Sequence, residues 1–318
     1  MKILITGGLG FIGSNLIKKL KSTDCEIYVI DNMSSSVINL DDKILNNIKV
    51  LKENIKDVDI DKLPDFDIIF HLASPIGPIS LLQKSGKIAY DILNDTQYII
   101  NLSQKKKSLL VFFSSCEIYG NHNELEISEN AEKKLEGNFN TRNEYSVAKL
   151  LSEIIISNTS NIDSNFKYQI IRPFNIVGSN QGSSGGHIIP RLVTQALSGK
   201  EMTVYLDGKQ KRSFIDVTDA VNAIILISKS KKYINNIWNI GNNNNVHSIL
   251  YIANLIKKIT NSKSEIVFVD PKDLHGKLFE DSPTKIPNNN KIKEFLLWEP
   301  KKNIHDILNG VLEHYENR

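Results

Sequence analysis

A short apolar run, Lys2-Ile3-Leu4-Ile5, leads straight into Thr6-Gly7-Gly8-Leu9-Gly10-Phe11-Ile12-Gly13, and few folds accommodate such a start. The run reads as a strand, the glycines as a tight turn and the residues from Phe11 onward as a helix. Gly7 supplies the turn, Gly10 lets backbone N–H groups approach a bound group, and Gly13 lets the helix pack closely on the strand. The helix N-terminus then offers unpaired N–H groups to a pyrophosphate. A second apolar run, Ile27-Tyr28-Val29-Ile30, ends in Asp31, placed to accept hydrogen bonds from an adenosine ribose. An acid there repels a 2′-phosphate, so the pattern points to NAD(H) rather than NADP(H).

The alternation continues. Apolar runs at 48–51, 68–71, 109–113 and 168–171 are separated by helical stretches, the rhythm of a doubly wound parallel sheet. Two of those helices, 88–104 and 142–159, would lie side by side, with apolar stripes that serve either the core or a dimer. Beyond Pro173 the segment 178–186 is rich in Gly, Ser and Asn, too polar for a core, and reads as a loop near a ligand. The strand and turn 203–208, the helix 218–228 and the run 237–240 are expected to return to the sheet edge. The reading is a Rossmann-type α/β fold with a smaller C-terminal substrate-binding lobe. Residues 1–172 form the NAD-binding domain, with 203–245 returning to it, and 173–202 and 246–318 form the lobe.

Composition narrows the partners. Among 318 residues, 39 basic and 36 acidic side chains leave a net charge of +3, too weak a field to argue for nucleic acid or a membrane surface. No apolar run approaches the roughly 20 residues that span a bilayer. With two cysteines, Cys25 and Cys116, and a first strand that begins at residue 2 without a charged-then-apolar leader, the expectation is a cytoplasmic protein without disulfides. No cluster of His, Cys and Asp has metal-ligand spacing, and no metal is expected.

Tyr145 and Lys149 stand four apart in Glu144-Tyr145-Ser146-Val147-Ala148-Lys149, so on a helix they share a face. An ammonium beside a phenol favours the phenolate and makes a base of it. The run 109–113 ends in Ser114-Ser115-Cys116-Glu117-Ile118-Tyr119-Gly120, polar residues at the carboxyl end of a strand, where open α/β sheets bind ligands. With these motifs in order, the chain resembles the extended short-chain dehydrogenase/reductases, the NAD-dependent nucleotide-sugar epimerases, dehydratases and decarboxylases. The resemblance also takes in His71-Leu72-Ala73-Ser74, Arg172-Pro173-Phe174-Asn175, Arg212-Ser213-Phe214-Ile215-Asp216 and Trp298-Glu299-Pro300, and so nearly the whole length.

The resemblance implies roles. Ser115 matches the residue that hydrogen-bonds the sugar 4-hydroxyl, Tyr145 the base that removes its proton, and Lys149 the residue that binds the nicotinamide ribose and tunes the tyrosine. Cofactor contacts are implied at Gly7, Gly10, Phe11, Ile12, Gly13, Asp31, Asn32, Ile55, Leu72, Ala73 and Ser74, and at Asn54, where many relatives carry an aspartate near the adenine. Substrate contacts are implied at Asn175, His187, Ile188, Arg191, Arg212 and Asp281, with Arg212 meeting the diphosphate of a nucleotide sugar, most simply a UDP-sugar.

Cys116 and Glu117 are expected to decide the chemistry. Simple 4-epimerases need no second acid or base, whereas a glutamate two residues after the serine suits a further step. The 4,6-dehydratases resemble this segment with Asp-Glu, the glutamate taking the C5 proton, whereas the Cys-Glu pair is similar to that of 5,6-dehydratases, and Cys116 could then serve as the acid. Decarboxylases of UDP-glucuronate resemble the same segment with Ser-Glu, and also resemble this chain around Gly208–Phe214 and His275–Asp281. Dehydration is the first expectation, decarboxylation the second and 4-epimerisation the third. A non-catalytic NAD-binding protein on the same fold is the alternative of a different class. A homodimer is expected at family level.

Overall fold

The computed structural model describes residues 1–122, 126–135, 137, 139–183, 185–276, 278–279, 281 and 284–316. In chain order the first strands are β1 (Lys2–Thr6), β2 (Glu26–Ile30), β3 (Lys49–Leu51), β4 (Ile68–His71), β5 (Leu109–Phe113) and β6 (Lys167–Pro173). Beyond them come β7 (Ile176–Val177), β8 (Met202–Tyr205), β9 (Lys211–Ser213), β10 (Ile215–Asp216), β11 (Asn236–Ile240), β12 (Val246–Ser248) and β13 (Ile266–Val269). The helices are α1 (Phe11–Leu20), α2 (Pro78–Gln83), α3 (Ile88–Lys106), α4 (Thr141–Ile162) and α5 (Ile188–Leu197). They continue as α6 (Val217–Lys229), α7 (Ile249–Ile259), α8 (Pro271–His275), α9 (Asn290–Leu296) and α10 (Ile304–Glu316).

Seven strands form the main sheet, in the order β11-β6-β5-β4-β1-β2-β3, every neighbouring pair parallel. Its strands are apolar nearly throughout because both faces are covered. Ile3 and Ile5 point into a core shared with α1 and α6, and Leu4, between them, points into the opposite core shared with α3. The order reverses between β1 and β4, and the glycine turn and the ends of β2, β4 and β5 all open onto the crevice created there. The doubly wound parallel sheet expected from the sequence is thus the one observed.

A second core gathers Ile189 and Leu192 of α5, Ile252 and Ile256 of α7, and Ile307 and Val311 of α10. The segment after Pro173 divides differently from expectation. β11 joins the sheet edge beside β6, and α6 packs with α1, but β8 pairs with β13 in a separate two-stranded sheet. The reason is burial: Met202 and Val204 of β8 belong to the second core. Among the described residues no helix is long and apolar enough to cross a membrane, and both cysteines are free thiols.

Candidate active site

The glycine turn is built for close approach. Gly7 adopts φ +69°, and a Cβ there would sit 2.8 Å from the Ala73 amide nitrogen; a Cβ on Gly13 would overlap the Gly7 carbonyl. Helix α1 begins after Gly10 with no side-chain cap and no acid in its first turn, so its leading N–H groups, at Phe11 and Ile12, are left for an anion. The Asp31 carboxylate braces the turn, accepting from the Leu9 amide at 2.9 Å and the Met33 amide at 2.8 Å. Asn32 donates to Asn54 at 3.0 Å, Asn54 donates to Asp57 at 2.7 Å, and Ile55 packs below them in the core. At the end of β4 the Ala73 amide donates to the Thr6 hydroxyl at 3.3 Å, the Leu72 amide to the Thr6 carbonyl at 3.2 Å, and the Ser74 hydroxyl to Pro75 at 3.3 Å. An uncapped helix start, a bare glycine cradle and an acid at the end of β2 fit a dinucleotide pyrophosphate and ribose.

At the end of β5, Ser115 caps the short turn Cys116–Tyr119 by accepting from the Glu117 amide at 3.1 Å. Tyr145 and Lys149, one turn apart on α4, are both buried, and the tyrosine hydrogen-bonds to the Ser115 side chain. Burial holds the Tyr145 hydroxyl above its ordinary range, and the Ser115 hydrogen bond opposes that only partly. Lys149 donates to the Phe113 carbonyl at 2.8 Å, and burial pushes its ammonium down to about 7, against the pull of Asp95 and Glu153. The expected phenolate-favouring effect of Lys149 is therefore not met in the chain by itself. Lys149 is not among the groups that shift Tyr145, burial raises the phenol, and the lysine is turned to a backbone carbonyl. Burial pushes the Cys116 thiol up to about 12, with Glu117 adding to the rise, so it holds its proton.

Arg212 is buried and pairs with Asp281 at 2.9 Å, and Gln210 donates to the other Asp281 oxygen at 3.3 Å. Asn175 donates to the Ser213 carbonyl at 2.9 Å, a use that ties β7 to β9. His187, half-buried, stands immediately before α5, whose first residue is Ile188; the Arg191 guanidinium lies 4.0 Å over the Tyr205 ring and donates to the Thr203 carbonyl at 3.2 Å. Within the segment 275–281, Lys277 and Glu280 lie outside the described residues.

Two site residues escape sequence reasoning. Lys285, only 2% exposed, places Nζ 3.1 Å from Glu117 Oε2, and Arg142 Nη1 is 3.3 Å from the same oxygen. Arg142 could have been found, being three residues before Tyr145 and so on its face of α4. Lys285 could not, because it comes from an irregular segment far along the chain. No group of three His, Cys, Asp or Glu residues that could hold a metal occurs among the described residues.

The model of the NAD dependent epimerase/dehydratase family matches residues 3–241. The chain belongs to that family. Among its relatives, the UDP-N-acetyl-alpha-D-glucosaminuronate decarboxylase of Bacillus cytotoxicus is 31% identical over 94% of this chain and 92% of that protein. UDP-glucuronic acid decarboxylase 1 of Xenopus tropicalis is 28% identical over 99% of this chain and 72% of that protein. In structure, the UDP-glucose 4-epimerase of Thermotoga maritima, solved with UDP-glucose, superposes with a TM-score of 0.86 at 25% identity, over 100% of this chain and 99% of that one. Membership in the NAD dependent epimerase/dehydratase family agrees with the glycine turn and with Asp31, and NAD is the cofactor that the crevice fits.

Proposed function

We propose that this family member is a decarboxylase of UDP-hexuronates. The observation that carries the reading is the gathering of Lys285 and Arg142 at one oxygen of Glu117, at the turn that also holds Ser115. Arg142 Nη1 is buried and pairs with Glu117 at 3.3 Å without hydrogen-bond geometry, an unfinished contact that suits a further anionic group on the substrate. The two named decarboxylase relatives act on uronates, and their likeness runs along almost the whole chain. Dehydration stands second. Glu117 would have to take the C5 proton with an oxygen already in contact with two cations.

NAD⁺, when bound, supplies the acceptor for a hydride from sugar C4 and can later return it. Ser115 holds the C4 hydroxyl and Tyr145 takes its proton, with Lys149 one helical turn away to favour the phenolate once the site is filled. The resulting C4 ketone is β to the C6 carboxylate. The C5–C6 bond can then break, its electron pair passing into the C4–C5 enolate as carbon dioxide leaves, and C5 is protonated afterwards. Lys285 and Arg142 hold the carboxylate in place before it departs, and Arg212 meets the diphosphate. Gly7, Gly10, Gly13 and Asp31 seat the cofactor.

The deciding experiment is mass spectrometry of the protein incubated separately with UDP-glucuronate, UDP-N-acetylglucosaminuronate, UDP-glucose and UDP-N-acetylglucosamine. Loss of carbon dioxide from a uronate supports the reading. Loss of water from a hexose, with the uronates untouched, replaces it with a dehydratase. The same protein is proposed to be a homodimer through α3 and α4. Val147, Leu151 and Ile154 form an exposed apolar stripe on α4, and Tyr90 on α3 is 70% exposed. Light scattering at the monomer mass would remove that proposal.

A further inference from the structure

Helix α3 covers the flank of the Tyr145/Lys149 pair. Ile92 of α3 shares an apolar cluster with Tyr145 and Ala148 of α4. One turn on, the Thr96 hydroxyl is 3.0 Å from that of Ser152. Between those two contacts lie Asp95 on α3 and Lys149 on α4, so the two parallel helices bring these charged residues to the same stretch of their seam.

Lys149 has two acidic neighbours, Asp95 across the seam and Glu153 one turn along its own helix; His71 faces it from β4. Glu153 is already committed, accepting from Arg172 Nε at 2.9 Å and from Nη2 at 2.6 Å. His71 is held neutral, pushed down to about 3 by burial and by the lysine. Asp95 is half-buried and makes no hydrogen bond or ion pair with a described residue. Its charged surroundings are Asp91 one turn earlier, Lys149, and Lys56 and Lys84. Of the three cations around this carboxylate, Lys149 alone is buried, and there a counter-charge is least screened by water.

We propose that Asp95 is a positioning residue for the Tyr145/Lys149 pair, its carboxylate being the counter-charge that keeps the buried Lys149 ammonium protonated. The proposal rests on the role given to Lys149 above but not on the identity of the substrate. Burial and Asp91 push the Asp95 carboxyl up to about 6, while burial pushes Lys149 down to about 7 against the pull of Asp95. Removing the acid removes a favourable charge from the cation's surroundings and makes Lys149 release its proton at lower pH.

The test reads the lysine directly. The whole protein is labelled with ¹³C at lysine Cε, the Lys149 signal is assigned by its loss in Lys149→Met, and its midpoint is followed with pH in wild type, Asp95→Asn, Asp95→Glu and Asp91→Asn. The expected result is a proton affinity for Lys149 reduced about tenfold in Asp95→Asn and restored in Asp95→Glu, with Asp91→Asn failing to reduce it. A reduction smaller than about threefold in Asp95→Asn overturns the proposal. Asp95→Ser, neutral and smaller, gives the same reading if Asn is poorly accommodated. Because no substrate is added, failure of the decarboxylase reading leaves this result interpretable. The alkaline limb of the pH profile for reduction of bound NAD⁺ should then move to lower pH in the same variants.

Discussion

The Lys285 ammonium lies 3.1 Å from a carboxylate oxygen of Glu117, although 168 residues separate the two in the chain. This contact closes the site by tying the C-terminal segment to the turn that follows β5. Losing the cation at 285 is expected to lower kcat about 100-fold or more, as for other fixed donors at a reacting centre. Lys285→Met should show that loss while still titrating with NAD⁺, and Lys285→Arg should recover a large part of it. Carbon dioxide release from the uronate substrates measures the first, and calorimetric titration with NAD⁺ the second. A Lys285→Met protein with full turnover would remove the lysine from the chemistry.

Gly13 makes the tightest demand in the nucleotide cradle, since a Cβ there runs into the Gly7 carbonyl and the Gly8 backbone. Gly13→Ala should destabilise the fold by about 1–3 kcal/mol, because the helix must back away from the strand. The same displacement moves the α1 N-terminus off the pyrophosphate. The expected outcome is a lowered melting temperature together with a large loss of NAD⁺ affinity, read by thermal unfolding and by calorimetry. Normal affinity in a destabilised variant would mean that the helix start does not contact the phosphates.

How much of this was legible in the sequence depends on distance along the chain. The strand, glycine turn and helix at residues 2–20 are a local pattern readable from spacing, whereas the Tyr145/Lys149 spacing gains its meaning from its position after the run 109–113. Ser115 and Glu117 could be joined to that pair because a parallel sheet puts strand ends on one edge. Lys285 carries no such signal: its segment has neither helical nor strand periodicity, and only tertiary folding brings it to Glu117. The strand at 202–205 was readable as a strand, but apolar alternation does not say which sheet it joins. Asp95 looks from the sequence like an ordinary polar position of a helix, and its meaning comes from the helix packed against it.

Arg172 and Glu153 form a buried pair in which each partner needs the other. The guanidinium also donates to the Tyr119 hydroxyl at 2.7 Å and the Glu129 carbonyl at 2.8 Å, linking β6 and α4 to the turn after β5. Arg172→Met leaves the Glu153 charge buried without its cation and should cost about 3–5 kcal/mol of stability. Glu153→Met added to it should restore a large part, since no unpaired charge then remains. Denaturant unfolding of the two single variants and the double variant tests this, and strictly additive losses would contradict it.

Lys149 should leave a pH signature on stability that is separable from its part in catalysis. Burial lowers its midpoint from the ordinary 10.5 to about 7, so between those values the unfolded chain holds a proton that the folded chain has released. Stability therefore rises with pH across that window, and the full penalty for burying the ammonium is felt below about pH 7. Lys149→Met removes the penalty but also removes the donor to the Phe113 carbonyl, a loss that is the same at every pH. Relative to wild type, the variant should gain stability near pH 6, by a few kcal/mol less that constant loss, and the gain should shrink steadily toward pH 10. Urea unfolding of both proteins across this range measures the difference. A difference that stays flat with pH would mean that Lys149 keeps an ordinary affinity for its proton in the folded chain.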